Sequence, residues 1–107
     1  MGEINKGEIQ IDNDNLFSSG KIFEIREEPV MECALDLLYR LANSGMITLT
    51  AKGDAIPTAV AVANVLTENM MRGKSKIVDI IVDSESGAGK YGMTLISTIR
   101  ITISKTS

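Results

Sequence analysis

Apolar and polar positions recur in two different periods along this chain, and each change of period marks a new element. Residues 1–20 alternate briefly in "EIQI" and then turn to Asn, Asp, Ser and Gly, which reads as an arm preceding the folded part. Lys21-Ile22-Phe23-Glu24-Ile25-Arg26 alternates with period two, Phe23 and Ile25 on one side and Ile22, Glu24 and Arg26 on the other, as a strand does. From Pro29 to about Ser44 the period lengthens. Val30, Ala34, Leu37 and Leu41 form a helical stripe widened by Leu35 and Leu38, while Glu32, Asp36 and Arg40 repeat on the wet face. Proline suits the first turn, where its missing N–H costs nothing. Glu27 and Glu28 suit the positive end of the helix dipole, and Gly45 is the expected C-cap. Cys33 falls at the margin of the stripe and reads as a packed thiol.

"MITLTAK" (Met46 to Lys52) is a second strand, ended by Gly53. Asp54 is the expected N-cap of a helix from Ala55 to about Met71, with Pro57 in its first turn. Between Ala59 and Leu66 only Asn64 is polar, so this helix is apolar nearly all round. One face can cover a sheet; a partner subunit is the economical cover for the other, and Leu66 and Met70 are the expected dimer contacts. Arg72-Gly73-Lys74-Ser75-Lys76 ends the helix and starts a third strand in which Val78, Ile80 and Val82 face one way. Met93 to Lys105 alternates cleanly, with Leu95, Ile99, Ile101 and Ile103 on one face and Thr94, Thr98, Arg100, Thr102 and Ser104 on the other.

Composition narrows the chemistry. At 107 residues the chain is one domain with one core, and no apolar run approaches the length of a membrane helix. "MGEINKGEIQ" has neither a basic start nor an apolar core, so a secretory signal is not expected and a cytoplasmic protein is. A single cysteine leaves no internal disulfide, and the absence of histidine removes both the usual zinc ligand and the commonest general base. The expectation is therefore a non-enzymatic protein with no catalytic residues, no metal and no cofactor. The net charge of −3 is carried by the arm, where Glu3, Glu8, Asp12 and Asp14 face Lys6 alone; the rest of the chain is balanced. Such a balance argues against strong nonspecific binding of nucleic acid, which rests on basic charge.

Gly87-Ala88-Gly89-Lys90-Tyr91-Gly92 matches the spacing of a dinucleotide-binding loop, but that loop must open a helix whose N-terminus holds the pyrophosphate, and here the glycines open a strand. A phosphate loop fails too, because Lys90 is followed by Tyr91 where Ser or Thr is needed. The segment reads as a glycine-rich hairpin tip between the last two strands, with Lys90 and Tyr91 as its adhesive groups.

The order strand, helix, strand, helix, strand, strand, together with "EEPVMECALDLL", "TLTAKGDAIPTAVAVANVL" and "STIRITISK", resembles the Alba family of small dimeric DNA- and RNA-binding proteins. The resemblance covers about residues 21 to 105, and residues 21–107 are taken as the Alba-like domain after the acidic arm. It implies an α+β, two-layer β-α-β-α-β-β sandwich: a four-stranded mixed sheet with both helices on one face, similar to the C-terminal domain of translation initiation factor three. It also implies contact with nucleic acid through basic residues before the proline, basic residues flanking the glycine, and the last hairpin. Carried onto this sequence, those positions are Arg26, Lys52, Gly53 and Lys90, while Glu27, Glu28 and Asp54 stand where the family usually has cations. Arg72 and Lys74, with Lys76, add the only basic cluster, although a helix C-terminus attracts cations in any case. The resemblance thus implies a homodimer that binds RNA or a specific DNA site rather than coating bulk DNA, nucleoid-associated if archaeal. Alternatively, the chain pairs as a heterodimer with a basic Alba-type paralogue and binds little itself.

Overall fold

The computed structural model describes residues 21–89 and 92–106; the arm of residues 1–20, and Lys90 with Tyr91, lie outside the described residues. In chain order the elements are strand β1 (Lys21–Glu24), helix α1 (Val30–Ser44), strand β2 (Met46–Lys52), a 3-10 turn (Gly53–Ala55), helix α2 (Ile56–Val65) continued by one π-helical turn (Leu66–Met70), strand β3 (Ser75–Gly89) and strand β4 (Gly92–Lys105). The sheet order is β1-β2-β4-β3, with β1 parallel to β2 and the other pairs antiparallel. The parallel pair needs a crossover, which α1 supplies.

Register shows why one sheet face is dry. Ile47 opposes Ile103, Leu49 opposes Ile101 and Ala51 opposes Ile99, and all six are buried with Ala34, Leu37 and Leu41 of α1 and Ala59, Val62 and Ala63 of α2. The intervening positions pair Thr48 with Thr102, Thr50 with Arg100 and Lys52 with Thr98, and line the opposite, open face. Both helices therefore cover one face, as the β-branched alternation of β4 requires. At the end of α1, Gly45 takes φ +86 and donates its N–H to the Leu41 carbonyl at 2.8 Å. Lys105 donates from Nζ to the Ala42 carbonyl at 2.9 Å, covering another open carbonyl of the last turn.

Four local expectations change. Asp54 does not cap α2: it lies exposed in the 3-10 turn, and Ala55, which makes no side-chain cap bond, holds the cap position. Gly53 at φ +53 lets the chain enter that turn, and the Ile56 N–H bonds back to the Gly53 carbonyl, so backbone does the work assigned to the carboxylate. The second helix does not run regularly to Met71. The Thr67 hydroxyl donates to the Ala63 carbonyl at 2.9 Å, and the Met71 N–H reaches the Leu66 carbonyl at 2.8 Å, closing a wide turn that buries both Leu66 and Met71. In β3 the register shifts between Ile77 and Asp79, leaving Val78 in a bulge. Ile77, Ile80 and Val82, rather than Val78, Ile80 and Val82, consequently line up with Ile103, Ile101 and Ile99. Finally, the glycine-rich stretch is ladder before it is turn: pairing continues to Gly89 opposite Gly92.

Candidate nucleic-acid interface

The ladder places the expected contact residues at two ends of the sheet. β2 ends at Lys52, opposite Thr98, and Arg26 follows the parallel strand β1 at that same end. The β3–β4 hairpin continues from Thr98 out to Gly92, about 20 Å past the end of β2 at strand rise. Arg26, Lys52, Gly53 and the base of the hairpin are thus neighbours in the fold. Lys90 lies outside the described residues. Arg72 and Lys74 sit elsewhere: they precede Ser75, which pairs with Lys105 at the far end of β4, about 20 Å along the strands from Lys52. The basic cluster that stands out in the sequence is therefore not part of the hairpin end.

Arg26 and Lys52 are both paired. The Arg26 guanidinium lies 3.3 Å from a Glu24 oxygen, and the Arg26 backbone N–H donates to Glu28 Oε2 at 3.0 Å. Glu28 therefore stabilises the turn before the helix, which explains a carboxylate at this position without reference to a ligand. Lys52 Nζ lies 2.8 Å from Glu85 Oε1. The hydrogen bond and charge of Glu85 hold the Lys52 ammonium above its ordinary pKa, with Glu24 adding to the effect. The pair crosses β4 on the open face of the sheet, above a depression of about 430 Å³ lined by Thr50, Lys52, Ile81, Asp83, Glu85, Thr98 and Arg100.

Glu85 and Arg100 carry no weight in the sequence reading. The signal for Glu85 is present in Asp79-x-Ile81-x-Asp83-x-Glu85, a period-two row of mostly carboxylates, but the sequence reading follows the strand only through the apolar Val78, Ile80 and Val82 and does not use it. A second depression lies between β1 and α1, lined by Glu24, Glu28, Glu32, Asp36 and Cys33 among others. Burial, then the charge of Glu28, pushes the Cys33 thiol up to about 11, so it stays protonated and weakly nucleophilic near neutrality.

The expected dimer contacts also separate. Leu66 has no exposed surface and belongs to the intramolecular core, because it follows the buried Ala59, Val62 and Ala63 by seven, four and three residues on the same helix face. Met70 is half-buried and packs against that core. Exposed apolar side chains lie instead on the helix-side face of the hairpin, where Ile80, Val82, Met93 and Leu95 are between 52% and 76% exposed.

A two-layer module of this topology, with a glycine loop and a projecting hairpin at one end, is the frame that the comparisons recognise. The Alba family model matches residues 21–84, and the chain belongs to the Alba family, whose members are in general non-enzymatic nucleic-acid-binding proteins. A solved structure, Alba from Thermoplasma volcanium, is similar over 78% of this chain and 99% of its own, with 28% sequence identity and a TM-score of 0.70. Comparison with curated proteins gives no match. Among the described residues no helix is long and apolar enough to cross a membrane, and no group of three or more His, Cys, Asp or Glu is placed to hold a metal ion.

Proposed function

We propose that this chain is a dimeric nucleic-acid-binding module that takes structured RNA or a particular DNA site in preference to bulk duplex. The observation that carries the reading is the convergence of Arg26, Lys52 and Gly53 with the base of a hairpin that projects about 20 Å beyond its neighbour strand. A projecting two-stranded ribbon is an element that nucleic-acid grooves admit, and lysine and arginine at its base supply phosphate contacts. Few cations are available, and Glu24, Glu27, Asp54 and Glu85 stand close to them in the fold. Nonspecific affinity built on phosphates is accordingly low, and binding depends on shape or base contacts. Dimer formation is supported by the exposed Ile80, Val82 and Leu95, an apolar group on a strand face where a lone domain would expose polar residues.

The test is titration of duplex DNA and a structured RNA at low and physiological salt, with Glu27→Lys beside the parent. Glu27 is exposed, and unlike Glu28 it is not the partner of the Arg26 N–H. Its reversal is expected to raise duplex affinity several-fold and to steepen the salt dependence by about 0.9 per subunit. Absence of binding to either nucleic acid at ~50 mM salt overturns the reading.

A second reading has an observation of its own. The depression beside Cys33 is rimmed by Glu24, Glu28, Glu32 and Asp36, a surface complementary to cations. It favours pairing with a basic Alba-type subunit, which co-sedimentation of a mixture with such a subunit would detect.

A further inference from the structure

We propose that Glu85 sets the affinity of the hairpin end for phosphate, by holding Lys52 in a closed ion pair that nucleic acid must open. The inference rests on the nucleic-acid reading above and names the residue that regulates that same surface. Lys52 is the last residue of β2, beside Gly53, and its ammonium is the described cation nearest the root of the hairpin on the open face. Thr98 opposes it across one ladder and Asp83 lies one strand further; Glu85 is two residues out along β3, opposite Ile96. The 2.8 Å contact therefore reaches over β4 and draws the ammonium toward the hairpin. The carboxylate occupies the side from which a nucleic acid lying along the hairpin would approach.

Two consequences follow from charge alone. A phosphate that claims Lys52 must displace a carboxylate already bonded to it, or accept a cation whose field is cancelled. Both groups are about half exposed, 58% for Lys52 and 47% for Glu85, so water screens the pair and opening it is easy. The latch is a weak one: it lowers affinity and blunts salt dependence without abolishing binding. It acts on two symmetry-related sites in a dimer, where small factors multiply. It also ties the glycine loop to the base of the hairpin, so opening the pair frees two elements together.

The test uses the full chain as wild type, Glu85→Gln, Lys52→Ala and the double variant. Wild type and Glu85→Gln are compared by acetylation of Lys52 with a limiting acetylating reagent, followed by peptide mass spectrometry without nucleic acid, and all four proteins by titration with a duplex DNA and a hairpin RNA over a salt series. Glu85→Gln keeps the side-chain shape and is expected to speed acetylation of Lys52 about three-fold. It should also tighten binding by about three-fold per subunit and steepen the salt slope by about 0.9 per subunit. In the Lys52→Ala background the gain from Glu85→Gln should vanish, because a latch has nothing to release there. An equal gain in both backgrounds, or acetylation unchanged by Glu85→Gln, overturns the proposal while leaving the nucleic-acid reading intact. Faster acetylation with no binding by any variant, wild type included, overturns both.

Discussion

At the scale of single residues, carboxylates decide what this surface is. Glu28 bonds the backbone ahead of α1, Glu24 meets Arg26, and Glu85 meets Lys52, so three acidic side chains are engaged by the groups they would otherwise leave free. Cys33 shows how far this acidity reaches. Its thiol is raised from 9.0 to about 11 by burial first and by Glu28 next. A folded-state pKa above the unfolded one means that the stabilising contribution is whole below pH 9.0 and is lost as pH rises toward 11. Stability measured by denaturant titration should therefore fall more steeply across that window in the wild type than in Cys33→Ala, and the two curves should run parallel between pH 6 and 8. The family resemblance points to Arg26, Lys52 and Gly53 by their place in the sequence. It could not reach their partners, because Glu85 lies over thirty residues away and is brought near only by the register of β4 between β2 and β3.

At the scale of elements, strong periodicity was legible and exceptions to it were not. The alternation of β4 appears in the fold as the spacing predicts, and so do Ala34, Leu37 and Leu41 of the α1 stripe, since each follows directly from burying one face; Leu35, expected to widen that stripe, is instead exposed. The bulge at Val78 and the π-helical turn at Leu66–Met70 break the period by one residue, and a one-residue break leaves no mark in composition. The misreading of Leu66 has a different cause: its spacing of seven, four and three residues from the buried Ala59, Val62 and Ala63 puts it on the sheet-facing side of even a regular helix, and the nearly all-apolar run hides which face that is. Chain reversals were legible where glycine is demanded by backbone geometry. At Gly45 an added Cβ meets nothing within 4 Å, so the cost of Gly45→Ala is conformational alone. With φ at +86 that cost is about 1–2 kcal/mol, and thermal unfolding should shift down by about 5 °C with the folded structure unchanged. Gly45→Asn, which tolerates the left-handed region better, should recover part of the loss.

At the scale of the whole molecule, the helix layer leaves the outer hairpin uncovered, and assembly is expected there rather than at the end of the second helix. Leu66→Asp and Val82→Asp separate the two ideas. Leu66 is fully buried, so an aspartate there costs several kcal/mol against a total of about 5–15 and should yield an unfolded protein. Val82 is 70% exposed in the single chain, so Val82→Asp should remain folded by circular dichroism and sediment as a monomer or a much weakened dimer. A dimer of unchanged stability would place the assembly surface elsewhere. β3 has one further consequence at this scale. It is an edge of the described sheet and fifteen residues long, the kind of open ladder that recruits strands from other chains and seeds fibrils. Val78 interrupts that ladder, and Asp79, Asp83 and Glu85 line its open face with like charge. The acidic row thus makes the edge a poor template for runaway polymerisation, because a second copy added along it would set like charges side by side.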